Sequence, residues 1–334
     1  MENEPNFNSY VELIYNRFEA FVQAGEEVQK RGHPFVYEPP TMIVFFMWMQ
    51  FKRIREFKSQ WHWLQAHPEA GQQLDWEGIP DRTTLSRRYK ALYPLLQAFV
   101  AFLGQDSRPL GEEMETNHLC EDKSLFKAQG PVWHQTDRQQ GRIPDKLRHL
   151  DTDASWSKSG YHGWVYGYGL HLTCNRAGFP VLIEVETATF SEKEALARKE
   201  KVILHHLRPQ TLTADDAYTA AKRLRAWAQQ GVALLTPALR WRTGRYAAAY
   251  HRFLKQADTA PLLRQRKTAI EPVFDLLPKL LGTTGKQKQL ALQHLPNVRT
   301  CLGLAVLSLQ LAMIANAIWC LPFRSISTIQ GAFA

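Results

Sequence analysis

Cysteine is scarce and badly placed for pairing. Cys120, Cys174, Cys301 and Cys320 lie far apart, with no CxxC pair and no zinc-type spacing. That argues against a zinc finger, a redox dithiol and a disulfide-framed secreted domain. Each cysteine stands in an apolar run, so buried free thiols in a reducing compartment are expected. The opening residues, MENEPNFNSY, lack a basic start followed by an apolar stretch, so no secretory signal is expected. His62, His205 and His206 have no partners at metal-ligand spacing and are read as packing or surface residues. The DTDAS segment around Asp151 and Asp153 lacks the glycine and closing glutamate of an EF-hand. Acids are in deficit, 32 against 41 Lys and Arg, for a net charge of +9. A surplus of that size suggests an anionic partner, most often nucleic acid.

One apolar run is long enough to reach across a bilayer, CLGLAVLSLQLAMIANAIWCL from Cys301 to Leu321. It carries Ser308, Gln310 and Asn316, and no basic anchor follows closely until Arg324. A helix buried against a sheet is expected there, and no membrane association. The rest is ordinary globular material. A length of 334 residues, 45% hydrophobic and 11% aromatic, fits one large domain or two ordinary ones with ample core.

Residues 1 to about 110 read as helical. Val11, Ile14, Tyr15, Phe18 and Phe21 follow the helical period, with Gly25 as a stop. A second helix is expected through TMIVFFMWMQFKRIREF, with a buried apolar half and a basic half near an anion. IPDRTTLSRRYKALYPLLQAFVAFL follows, with Asp81 or Thr83 as caps and Arg87, Arg88 and Lys90 on its first turns. The basic corner suits a helix-turn-helix DNA reader or an oligomerisation module with solvated charges.

From about residue 112 the texture changes to strands. NHLCEDKSLFKA carries Asp122. A polar insertion at about 128–160 has too little apolar period for a packed element. GWVYGYGLHLTC and FPVLIEVETA are strands joined by the turn NRAG. SEKEALARKEKVILHHL is a helix capped by Ser191. The stretch TLTADDAYTAAKRL, Thr211 to Leu224, turns from strand to helix at Asp215 and Asp216, where open α/β sheets carry their chemistry. Either acid also suits a helix N-cap. A short strand, VALLT, closes the series. The order gives three antiparallel strands and then parallel crossovers, a mixed α/β sheet with helices on its faces.

Five of these segments, in this order, resemble the insertion-sequence DDE transposases, which share the RNase H-like fold with retroviral integrases. They are IPDRTTLSRRY, CEDKSLFKA, the hairpin GWVYGYGLHL with GFPVLIEV, LTADDAYTAAKRL and RKTAIEPVFDLL. The resemblance covers roughly residues 70 to 322. It implies an RNase H-like catalytic domain at 111–325, with a C-terminal helix at 298–321, behind the helical domain at 1–110. It also implies a catalytic and metal-binding triad of Asp122, Asp215 and Glu271. The cofactor would be Mg²⁺ or Mn²⁺, two ions, because in-line phosphoryl displacement needs charge neutralised on attacking and leaving oxygens. Double-stranded DNA, at element ends and target, would be the substrate, and a homodimer or larger assembly would join two ends. A cytoplasmic location follows, nucleoid-associated on DNA. Two further readings stand beside this one: a transposase-derived DNA-binding protein that no longer cuts, and a stand-alone RNase H-like nuclease.

The assignments have local rivals. Asp153 lies nearer the hairpin than Asp122, but in the insertion rather than on a strand. Thr268-Ala-Ile-Glu271 fits a capping box with Pro272 in the first turn. The family's tyrosine and arginine ahead of the glutamate have no clean counterpart here. Between the second and third acids, PALRWRTGRYAAAYHRFLKQADTAPLLRQRK holds Arg240, Arg242, Arg245, Arg252, Lys255, Arg264, Arg266 and Lys267 against Asp258. Basic side chains interleaved with Trp241, Tyr246 and Tyr250 suit DNA phosphates and bases, or form a solvated face. With Arg87 and Arg88, these arginines and Lys267 are the expected DNA contacts. Trp133 and His134 suit an unpaired base or plain exposure.

Overall fold

The computed structural model describes residues 5–25, 36–160, 163–237, 245–283 and 288–334. Its helical first part begins with α1 (Phe7–Gln23), where Asn6 and Ser9 form a reciprocal cap and Tyr10, Ile14, Phe18 and Phe21 turn inward. In α2 (Pro39–Phe51) two prolines open the first turn, where no helical N–H is needed. This helix is apolar all round, and nearly every side chain is buried, as a core helix requires. The single long helix expected here does not form. The backbone turns left-handed at Arg53, φ 60°, and α3 (Phe57–Ala66) starts afresh. After α4 (Pro68–Gln73), Asp81 caps α5 (Arg82–Ala91) by accepting the Thr84 N–H at 2.8 Å, and α6 (Tyr93–Asp106) follows.

The sheet begins with β1 (His118–Lys127). A short helix α7 (Gln135–Gln139) lies in the insertion, and β2 (Ser155–Ser159), β3 (Gly163–Asn175) and β4 (Pro180–Thr187) follow. Then come α8 (Glu192–Val202), β5 (Thr211–Thr213), α9 (Ala221–Gln229), β6 (Ala233–Leu235), α10 (Arg245–Leu254), α11 (Thr259–Leu281), α12 (Leu295–Ile318) and α13 (Ser327–Ala332). The strand path is β2-β3-β1-β5-β6, with β4 also paired to β3. Pairings among β1 to β4 are antiparallel, and β1–β5 and β5–β6 are parallel. Strand β2 was not expected. Its polar sequence, SWSKS, reads as part of the insertion, but it pairs with the first residues of β3. Where β3 passes β1 it must be glycine at 167, because a Cβ there would lie 2.0 Å from the Phe126 carbonyl oxygen.

One hydrophobic core runs from Phe21 and Phe45 through Leu170 and Val306 to Phe333. Helix α12 packs on α6, β4, α11, α2 and α5. It is long and apolar enough to cross a membrane, yet 83% of its most apolar window is buried in the fold. Several of its polar groups find partners in place, although Gln310 Oε1 and Asn297 Oδ1 have none among the described residues. Gln310 Nε2 donates to the carbonyls of Val100 (3.0 Å) and Pro180 (2.9 Å), and Ser308 donates to Leu304 at 2.8 Å. Asn316 Nδ2 donates to the carbonyls of Pro322, Phe323 and Ser325. The expectation of four buried thiols holds for Cys120 and Cys174. Cys301 is half-buried, and Cys320 is exposed because α12 ends before the apolar run does.

Candidate active site

Strands β1 and β5 run parallel with Cys120 opposite Thr213 as the last rung. Two residues further along each strand stand Asp122 and Asp215. Neighbouring strands lie about 4.8 Å apart and side chains alternate with period two, so the two acids come level on adjoining chains. Asp122 is within β1, as expected. Asp215 leaves β5 and caps a 3₁₀ turn, Asp216–Tyr218, by accepting the Ala217 N–H at 3.0 Å. Both readings of Asp215, capping residue and acid at a strand's carboxyl end, therefore describe the same side chain. Asp216 beside it is exposed.

Arg266 of α11 closes over this pair. Its Nη1 forms an ion pair with Asp122 Oδ2, while Asp122 Oδ1 accepts the Lys123 N–H at 2.8 Å. Burial pushes the Asp122 carboxyl up to about 6, against the opposing pull of Arg266, and the neighbouring Asp215 charge adds to the rise. Asp215 is raised as well, again chiefly by burial, with Arg266 holding it down. Two partly desolvated carboxylates and one guanidinium leave local negative charge in excess.

Glu271 lies on the same helix, exposed, rather more than a turn beyond Arg266. The capping-box reading of this residue is overturned, because α11 begins at Thr259 and Glu271 is deep within it. Pro272 and Pro278 are likewise interior. A proline removes the donor for the carbonyl four residues earlier. The carbonyls so deprived, those of Thr268 and Phe274, accept from Arg324 Nη1 (3.2 Å) and Lys288 Nζ (3.0 Å). The C-terminal end of α11 is held too. Arg53 donates to the Lys279 carbonyl (2.9 Å) and Arg55 to that of Leu281 (2.9 Å). The basic end expected near an anion thus meets the negative end of a helix instead.

The remaining basic residues are spread out. Arg245 and Arg252 are exposed on α10, and Arg264 and Lys267 on α11, while Arg266 points inward to Asp122. Arg240 and Arg242 lie outside the described residues, as does Trp241. On α5, Arg87 is exposed, but Arg88 is half-buried and donates to the Tyr37 carbonyl at 2.8 Å. Trp133 is tied down, with its indole N–H on the Arg142 carbonyl at 3.0 Å.

Asp153 sits elsewhere, with residues passed over in the sequence. Asp151 is fully buried and accepts the Tyr168 hydroxyl at 2.8 Å and the His294 N–H at 3.2 Å. Asp153 accepts the Leu295 N–H at 2.9 Å. Asp151, Asp153 and His294 offer ligand atoms within 4.8 Å of one another, close enough to share an ion. Their carboxylates, however, already serve the first N–H groups of α12, whose helix end carries partial positive charge. That arrangement anchors α12. Glu121, next to Asp122 but on the other face by alternation, is also structural: it is fully buried and paired with Lys199 at 2.8 Å. A doublet of acids on a strand signals one buried partner only once the strand's faces are known.

Four antiparallel strands continued by parallel β5 and β6, flanked by helices and bearing acids at adjoining central strands, define an RNase H-like core. Residues 114–282 match the transposase DDE domain, about half of the chain, and the chain belongs to that family. No curated protein matches it.

Proposed function

We propose that the chain is a DNA transposase that hydrolyses DNA at the ends of its element and joins the freed 3′-OH to target DNA. The observation that carries this reading is Asp122 on β1 beside Asp215, just past the end of parallel β5, with α11, the helix that bears Glu271, reaching Asp122 through Arg266. The donor set fits Mg²⁺ or Mn²⁺: hard carboxylate oxygens, with Asp122 pushed up chiefly by burial and further by the neighbouring Asp215 charge, which a cation would relieve. Asp122 and Asp215 would hold one ion between them, and Glu271 would complete a set for two. Ions held there would neutralise charge on the attacking and leaving oxygens of an in-line displacement. The exposed Arg245, Arg252, Arg264 and Lys267 would bind phosphates of double-stranded DNA and set the scissile bond over the acids. The helices before residue 110 would serve DNA binding or oligomerisation, and residues 111–325 catalysis. Joining two ends in one event calls for a homodimer or larger assembly, working in the cytoplasm on nucleoid DNA.

A second reading, a transposase-derived DNA-binding protein without cleavage, is favoured by one observation: Arg266 occupies the Asp122 oxygen that an ion would take. Incubating the full chain with Mg²⁺ and a supercoiled plasmid carrying the gene's flanking sequences separates the two. Nicked and strand-transfer products that vanish in Asp215→Asn support the transposase. Binding without any product supports the second reading, and cleavage without joining points to a nuclease.

A further inference from the structure

Both oxygens of Asp122 are engaged, Oδ1 by the Lys123 N–H at 2.8 Å and Oδ2 by Arg266. A divalent ion on that oxygen, at about 2.0–2.1 Å, would stand within roughly 4 Å of the guanidinium, where like charges repel strongly. Loading is therefore favoured when Arg266 leaves. An arginine cannot leave by losing its proton, because guanidinium stays charged in proteins. It needs another anion to go to. The surroundings offer a route for one: Arg264 and Lys267, on the turns around Arg266, are exposed on α11. A phosphate drawn to them arrives within reach of a long, flexible side chain and offers the fork a bidentate partner.

We propose that Arg266 is the resident cation of the unloaded site, and that a DNA phosphate draws it off Asp122 so that metal binding is coupled to DNA binding. This rests on the reading of Asp122 and Asp215 as metal ligands. It gives the site a safeguard, since ions are admitted only when substrate backbone lies on α11. The device is reciprocal, so ions in the site free Arg266 for phosphate and tighten DNA binding by the same factor.

The test is the Mn²⁺ affinity of the full chain without DNA, followed by electron paramagnetic resonance. Arg266→Gln should bind Mn²⁺ about tenfold more tightly than the unaltered protein, because a close competing charge has gone. Lys222→Gln removes a charge of the same sign from the exposed side of α9, where solvent screens it, and should stay within about twofold. Short duplex DNA, corrected for the Mn²⁺ it binds alone, should tighten Mn²⁺ binding to the unaltered protein but not to Arg266→Gln. No gain in Arg266→Gln, or an equal gain in Lys222→Gln, overturns the proposal. If Arg266→Gln does not fold by circular dichroism, the DNA effect on the unaltered protein decides: no tightening overturns it. Failure of the underlying reading looks different. In that case Asp122→Asn, placed in the Arg266→Gln background, leaves Mn²⁺ affinity unchanged.

Discussion

Arg324 donates to the carbonyl of Thr268, the group that Pro272 deprives of its helical donor. The freed carbonyl beside Glu271 is therefore satisfied from outside the helix, by a residue that follows α12. Arg324 also donates to the Ala177 carbonyl at 2.7 Å, which ties this part of α11 to the β3–β4 turn. Arg324→Ala should cost about 1.5–3 kcal/mol, the range for hydrogen bonds that involve a charged group. In a Pro272→Ala background, where the helical donor returns, the same change should cost less by about 0.5–1 kcal/mol or more. Urea titrations of the four proteins give the coupling, and zero coupling would mean that Arg324 acts only through Ala177.

Asp215 carries two duties, and substitutions can part them. Asparagine caps a helix about as well as aspartate, whereas alanine loses roughly 1 kcal/mol. Asp215→Asn should therefore keep thermal stability and DNA affinity within a few-fold while abolishing cleavage, and Asp215→Ala should lose both stability and cleavage. Full activity in a folded Asp215→Asn protein would remove this residue from the site.

The exposed cations of α11 can be weighed by salt. If Arg264 and Lys267 each lie on a phosphate, replacing one by alanine should reduce the slope of log affinity against log salt by about 0.9. Binding titrations at several salt concentrations measure it, and an unchanged slope makes these residues a solvated face.

His171 sets an acid limit on stability. It is fully buried on β3, neither ring nitrogen has a hydrogen-bond partner among the described residues, and burial, with Lys199, Lys123 and Arg198 nearby, pushes its imidazole down to about 2. Unfolded, the same ring takes up a proton near pH 6.5. Its contribution is whole above pH 6.5 and is lost as pH falls toward 2, at up to about 1.4 kcal/mol per pH unit. Urea melts of His171→Leu between pH 7 and 4 should show a shallower decline than the unaltered protein, and the difference separates His171 from the carboxylates. Parallel declines would place the acid limit elsewhere.

What the sequence disclosed and what it withheld divide along physical lines. Asp122 and Asp215 were legible because each sits in or just past a short run of β-formers, and strand alternation then makes them level. The break after Phe51 was not legible: it comes at Arg53, a non-glycine residue in a left-handed conformation with no local signal. Strand β2 was missed because SWSKS has neither apolar alternation nor β-branched residues, and β3 and the Ser155 contacts to Thr189 supply its order. The Arg266–Asp122 pair joins residues far apart in sequence, which no periodicity encodes. The Glu271 capping box failed for the opposite reason, a local pattern correct in itself but embedded in a longer helix.

Helix α12 follows in the chain every strand it covers. On the ribosome, β4 and α6 therefore emerge with their apolar faces bare, and the gap closes only when α12, which begins more than a hundred residues after β4 ends, has been added. Until then the nascent protein is a client for chaperones, and a transcript broken before Leu295 yields a product headed for aggregation or proteolysis. Message truncation thus removes the helix on which the whole core packs, rather than leaving a smaller folded domain.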